Sequence, residues 1–226
     1  MRKLVIAVDG PAAAGKSTAG KALAARLGYL YIDTGAIYRA VAWLADREGI
    51  ADAAPELLGA RVARADIRLE GDPRRPHVLV DGRDVSAEIR TEGISQLSSR
   101  LSALPEVRAA LLELQRRMGA DGGVVMDGRD IGTVIFPGAD AKFFVFASPE
   151  VRARRRHGEL LAKGGGASLE QVRAELRTRD LRDAGRKHAP LKAAEDAVPV
   201  DTTDLTPEQV IERMLAVIQS RIGERA

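Results

Sequence analysis

The chain has 226 residues, 45% hydrophobic and 30% charged, which supplies a packed core and excludes a globally disordered chain. Lys and Arg number 35 against 32 Asp and Glu, and the resulting net charge of +3 lacks the basic excess of a nucleic-acid coat protein. With no cysteine, disulfides and thiolate metal sites are excluded, and cytoplasmic residence is the expectation.

The opening "MRKLVIAVDG" has a basic start, but Asp9 interrupts its apolar run and no small-residue cleavage site follows, so it reads as a strand. Gly10-Pro11 comes next, then a helix from about Lys16 to Leu27, for which Gly28 is a natural stop. "LYID" is a second strand, and Gly35 opens a helix that carries Arg39. Residues 66–85 change character. "IRLE", "GDPRRP" and "HVLVDGRDV" alternate with turn residues and predict antiparallel hairpins, a small β insert. Two helices are expected near 91–102 and 105–118, with Pro105 in the first turn of the second. "GVVMDG", "KFFVFA" and "AVPVDTT" complete five continuous apolar runs, the pattern of strands covered on both faces. With helices between most of them, the economical architecture is α/β, a five-stranded parallel sheet flanked by helices. "KGGGAS", residues 163–168, is the hinge candidate, and "TPEQVIERMLAVIQSRI", with a Thr cap and Pro at N1, predicts a closing helix. No apolar run is long enough to cross a bilayer.

"GPAAAGKST" matches G-x-x-x-x-G-K-[ST] and lies between a strand and a helix, where the motif's chemistry requires it. Gly10 and Gly15 let the intervening backbone, Pro11, Ala12, Ala13 and Ala14, turn its N–H groups inward as an anion nest. Lys16 supplies a point charge for the outer phosphates, and Ser17, next to Thr18, offers a hydroxyl to Mg²⁺. This points to nucleoside triphosphate binding without separating kinases, GTPases and ATPases. The guanine-reading N-K-x-D segment of GTPases does not occur. Asp127, in "VVMDGRD", stands where a metal-linked acidic residue is wanted, or it simply caps the next turn.

"DTGAIYRAV" begins at the carboxyl end of the second strand, the edge at which open α/β sheets bind ligands. Alone, Asp33-Thr34 also fits a plain helix cap, with Arg39 a surface charge. In "RTRDLRDAGR", residues 177–186, Arg179, Asp183 and Arg186 fall four and three apart, on one helical face. Such a ladder reads first as a solvated surface pair. Of the 35 basic residues only seven are lysine, leaving 28 arginines, the side chain suited to forked recognition of phosphate.

In this order and at these intervals, "VDGPAAAGKST", "DTGAIYR", "DGRDIGTVIFP" and "RDLRDAGR…APL" resemble the bacterial cytidylate (CMP/dCMP) kinases, a P-loop nucleoside-monophosphate-kinase family, from about residue 4 to 220. The resemblance implies transfer of the γ-phosphoryl group of ATP to CMP or dCMP with Mg²⁺. It divides the chain into a core of residues 1–33, 120–148 and 169–226, a monophosphate-binding domain of 34–119 holding the insert, and a mobile lid of 149–168. Carried over by motif, Gly10 to Thr18 would hold ATP, with Arg152, Arg155 and Arg156 of the lid closing over its phosphates. Ser17 would ligate Mg²⁺ directly and Asp127 through water. Thr34, where many relatives have Ser, and Asp130 would hold the sugar. Arg39, Arg108, Arg129 and Arg186 would clamp the acceptor phosphate, and Ser99, Arg179 and Asp183 would face cytosine. Lys16, Arg129, Arg155 and Arg186 would carry catalysis. The resemblance also favours a monomer whose partners are small molecules, with no nucleic acid and no membrane. A kinase for UMP, AMP or shikimate is the nearest rival. A nucleic-acid switch is disfavoured by scattered arginines and by only 4% aromatic residues.

Cytosine presents an amine donor beside ring acceptors, so Asp183 would accept from the amine while Arg179 donates to an acceptor. Both substrates are polyanions. Positioning and charge neutralisation would therefore carry catalysis, with no need for a His or Cys nucleophile.

Overall fold

The structure, a computed structural model, describes residues 3–72 and 76–223. Five parallel strands form the central sheet: β1 (Val5–Asp9), β2 (Leu30–Asp33), β6 (Val124–Gly128), β7 (Ala141–Phe146) and β8 (Val198–Asp201), in the order β2-β6-β1-β7-β8. Every β6 residue and four of the five in β1 are buried, as the unbroken apolar runs require. Register is continuous across the centre, where Val8 pairs with Asp127 and Asp9 with Gly128. The carboxyl ends of β1, β2 and β6 therefore finish side by side, and those of β2 and β6 carry Asp33 and Asp127 of the cleft described below.

Helix α1 (Lys16–Leu27) starts after Gly15 and ends at Gly28 in a left-handed conformation, its N–H reaching the Ala24 and Ala25 carbonyls. It packs with α8 (Pro207–Gly223) on one side of the sheet, where Leu23, Tyr31, Phe143 and Met214 share a core. The other core joins α2 (Thr34–Arg47), α3 (Pro55–Arg64), α4 (Glu92–Leu101) and α5 (Pro105–Gly119) to Met126 of the sheet. The insert packs into this second core. Its strands β3 (Ile67–Glu70), β4 (His77–Val80) and β5 (Arg83–Asp84) form an antiparallel sheet, with Ile67 and Val80 paired and buried. Residues 73–75 of the expected "GDPRRP" turn lie outside the described residues. Helix α3 has no counterpart among the sequence-predicted elements.

Two helices stand apart from both cores. α6 (Pro149–Leu161) and α7 (Leu169–Ala184) share a small cluster of Ala12, Ala153, Val172 and Leu176. The linking "KGGG" tract is more structured than a plain hinge. Gly164 and Gly165 donate to the Leu161 and Leu160 carbonyls and close α6 with a tight C-terminal turn. Ser168 and Gln171 then cap α7 reciprocally, each side chain bonding the other's backbone N–H. A helix pair buried on so little apolar surface belongs to the low-stability end of the fold.

Candidate active site

The strand ends open into a cleft of about 340 Å³, within the size range of small-molecule sites. Residues Ala12 to Thr18 line one end of it. Gly10 lies beneath the loop at φ 144°, and a Cβ there would sit 1.9 Å from the Val145 carbonyl oxygen, so only glycine lets the loop lie this close to β7. Lys16 is 5% exposed, and its ammonium donates to the Pro11 carbonyl at 2.7 Å. Burial, reinforced by the Arg129 charge, pulls its pKa down to about 7. Ser17 Oγ and Tyr31 Oη both donate to Asp127 Oδ2, at 2.7 and 2.6 Å. Burial, then the neighbouring Asp33, raises the Asp127 pKa. A hydroxyl and a carboxylate meeting at the loop are hard oxygen donors and fit a Mg²⁺ ion that keeps water and phosphate oxygens as its other ligands. Among the described residues no three His, Asp or Glu side chains converge into an all-protein cage.

After β6 the chain enters a short π-helical turn, Ile131–Ile135. Asp9 fixes its start by accepting from the Ile131 and Gly132 N–H groups, both at 2.8 Å. Arg129 and Asp130, immediately before the turn, are thereby held at the cleft. Burial lifts the Asp9 carboxyl to about 6, against the pull of those two N–H groups. A folded-state pKa above the ordinary 3.8 means that the native protein holds this proton longer than the unfolded chain. Stability is thus unaffected by Asp9 below 3.8, falls as pH climbs to 6, and carries the full cost above that. Against Asp9→Asn, wild type should lose ~3 kcal/mol of unfolding free energy between about pH 4 and pH 7. Urea unfolding at the two pH values measures this, and a pH-independent difference would contradict the assignment.

The opposite end of the cleft is lined with arginine. Asp183, on α7, has a side chain only 2% exposed and accepts from Arg129 Nε at 2.9 Å and from Arg186 Nη2. Burial pushes its carboxyl up, but Arg129, Arg186 and Arg179 outweigh burial and hold its pKa below the ordinary value. Arg108 pairs with Asp130 and lies over the Tyr38 ring, 5.5 Å from its centroid. Arg39 donates to Asp33 Oδ2 at 2.8 Å, and Thr34 donates to the Asp127 carbonyl at 2.8 Å. The decisive feature is what is left over. Arg179 Nε and Arg186 Nε are buried with no hydrogen-bond partner among the described residues. Burial, then Arg129, drags the Arg179 pKa down to about 10, as expected of a cation crowded by other cations. Buried donors are normally paired, so two unpaired guanidinium N–H groups in the cleft that Lys16 also lines describe a receptor for anions.

Most of the sequence-predicted residues converge here: Ala12 to Thr18, Thr34, Arg39, Arg108, Asp127, Arg129, Asp130, Arg156, Arg179, Asp183 and Arg186 all line this cleft. Others lie apart from its lining. Ser99 Oγ accepts from Arg182 at 2.8 Å and faces a neighbouring cavity between α4 and α7. Arg152 is buried under the loop, donating to the Ala12 and Ala147 carbonyls and pairing with Asp180 at 2.7 Å. Arg155 donates to Thr202 Oγ1 and to the Thr202 carbonyl, at 2.9 and 2.7 Å. Arg156, which does line the cleft, reaches across to Glu92 at the start of α4. Lys21, Tyr38, Ser98, Ser102 and Lys163 line the cleft without having been singled out from sequence. Two carried a legible signal: Tyr38 lies inside "DTGAIYR", and Lys21 is one helical turn beyond Ser17.

A P-loop at one end of a parallel-sheet cleft and an arginine cage at the other define a P-loop phosphotransferase acting on two anionic substrates. The chain belongs to the cytidylate kinase family: the family model named Cytidylate kinase matches residues 6–220. It is 52% identical over 221 residues to a cytidylate kinase of Geobacter sp. (strain M21), covering 98% of this chain and 95% of that one. It is 51% identical to a cytidylate kinase of Geobacter sulfurreducens, covering all of this chain and 96% of that one. The fold also resembles the crystal structure of an uncharacterized protein from Eubacterium ventriosum, with a TM-score of 0.51 at 10% identity over 96% of this chain and 99% of that one.

Proposed function

We propose that the two ends of the cleft bring ATP and CMP or dCMP together in line, the donor phosphates on the loop and the acceptor among the arginines. As a member of its family the chain is an ATP-dependent kinase that transfers the γ-phosphoryl group to CMP or dCMP, giving ADP and CDP or dCDP. The observation that carries the placement is the pair of unpartnered buried Nε atoms on Arg179 and Arg186.

In this reading Gly10 to Thr18 cradle the donor phosphates with backbone N–H groups, and Lys16 neutralises charge on the transferring group. Mg²⁺, held by Ser17 directly and by Asp127 through water, would offset charge on the β- and γ-phosphates. Arg39, Arg108, Arg129 and Arg186 fix the acceptor phosphate, Thr34 and Asp130 hold its sugar, and Arg179 and Asp183 address cytosine. Ser99 would join them only once closure turns it from Arg182 and the neighbouring cavity. Asp33 and Asp130 occupy Arg39 and Arg108 in the meantime and hold them ready for a phosphate.

Residues 34–119 would move as the monophosphate domain and 149–168 as a lid, with the rest as core. The small apolar cluster under α6 and α7 supports that motion. Closure would release Arg156 from Glu92 and turn it to the donor, whereas Arg152 and Arg155, committed to protein acceptors, would brace the loop and add charge behind it. The test is ATP consumption with each monophosphate in turn. CMP and dCMP should be the best acceptors, and a preference for UMP or AMP would overturn the base assignment.

A further inference from the structure

We infer that Ser102, at the C-terminal end of α4, is a positioning residue that aims the Arg186 guanidinium at the acceptor phosphate. The inference rests on the proposed placement of the acceptor at this end of the cleft. Ser102 is 7% exposed and lines the cleft. Its Oγ donates to the Ser99 carbonyl at 3.2 Å and accepts from Arg186 Nη2 at 3.1 Å, so the hydroxyl is held from both sides. Its carbonyl, at the negative end of α4, accepts from Arg108 Nη1 at 3.2 Å. One small residue thus hydrogen-bonds to an arginine of each of two ion-paired groups, Arg129–Asp183–Arg186 and Arg108–Asp130.

The donors on Arg186 show what this achieves. Ser102 Oγ and Asp183 Oδ1 both bind the same terminal nitrogen, Nη2. That nitrogen anchors the fork, and Nε stays buried without a partner among the described residues. A guanidinium has a rigid planar array of donors, so fixing one nitrogen from two directions sets where the others point. Asp183 alone fixes one direction and leaves the plane free to swing. Ser102 supplies the second constraint. Because the Arg108 contact uses the Ser102 backbone, substitution at this position should disturb Arg186 and spare Arg108.

The experiment compares wild type, Ser102→Ala and Ser102→Thr by calorimetric binding of CMP and of ATP separately, with steady-state kinetics and Tm alongside. Ser102→Ala should weaken CMP binding ~10-fold, the scale of one lost hydrogen bond to a charged group. ATP affinity and Tm should stay close to wild type, and Ser102→Thr, which keeps the hydroxyl, should restore CMP binding. Unchanged CMP affinity in Ser102→Ala would overturn the inference. Equal losses for ATP and CMP with a lowered Tm would overturn it too, because they indicate a structural role only. A well-folded Ser102→Thr that fails to recover CMP binding would do the same. Wild-type protein that binds ATP but no CMP would instead refute the acceptor placement itself, a result distinct from these three.

Discussion

Replacing Asp183 with alanine is expected to lower folding stability by about 3–5 kcal/mol, the usual cost of removing one partner from a buried charge cluster. Arg129 and Arg186 both bond to this carboxylate, whose side chain is 2% exposed, and Arg179 adds a third charge within its field. Without Asp183, these cations face one another with their shared counter-charge removed. Urea unfolding would measure the loss, and a change under about 1 kcal/mol would mean that the cluster relaxes freely. Because alanine combines instability with any effect on specificity, Asp183→Asn separates the two. The amide keeps the shape, loses the charge and offers uracil O4 an N–H. The CMP-to-UMP ratio of kcat/KM should therefore fall by roughly 10- to 100-fold, the cost of one mismatched or unpaired polar contact. An unchanged ratio would remove Asp183 from base recognition.

The second large effect has the opposite stability sign. Lys16→Met should reduce kcat by ~10³-fold or more, since a fixed cation at the transferring phosphoryl group is worth that much. It should leave Tm unchanged or raised. In the free protein the ammonium is buried, close to Arg129 and Arg179, and both burial and Arg129 disfavour its charge. The hydrogen bond to the Pro11 carbonyl and the charges of Asp127 and Asp9 do not offset that cost, since the net shift is still downward. Activity and stability pull in opposite directions at such a residue, because the charge is held in place for the substrate. Kinetics and thermal unfolding of the same preparation test both halves. Retention of kcat within about tenfold would exclude Lys16 from transition-state stabilisation.

How much of this was legible follows from the range of the forces involved. The five strands could be read because each is a short, continuous apolar run, and α1 because glycines bracket it at both ends. α3 was not, since it buries only Leu58, Gly59 and Val62, too narrow a stripe to stand out within an Ala- and Arg-rich stretch. At the site, the loop was legible through its spacing and the acceptor residues through the family resemblance. The pairings were not, because they are tertiary. Nothing local in "VRARRR" distinguishes Arg152, buried against Ala12 and Asp180, from Arg156, which spans to Glu92. Ser102 has no motif to mark it. Its role arises only where the end of α4 meets the end of α7.

The most direct test of the central claim, that a cage of fixed guanidinium groups gathers CMP beside the P-loop, is the crystal structure of the protein with CMP bound. The phosphate is expected within hydrogen-bond reach of Arg39, Arg108 and Arg129, with the unpartnered Nε–H of Arg186 on the same phosphate and the amino edge of cytosine turned to Asp183. A pyrimidine ring lying away from Arg179 and Asp183, or a phosphate seated on the loop at Lys16 with the arginine cage empty, would contradict it.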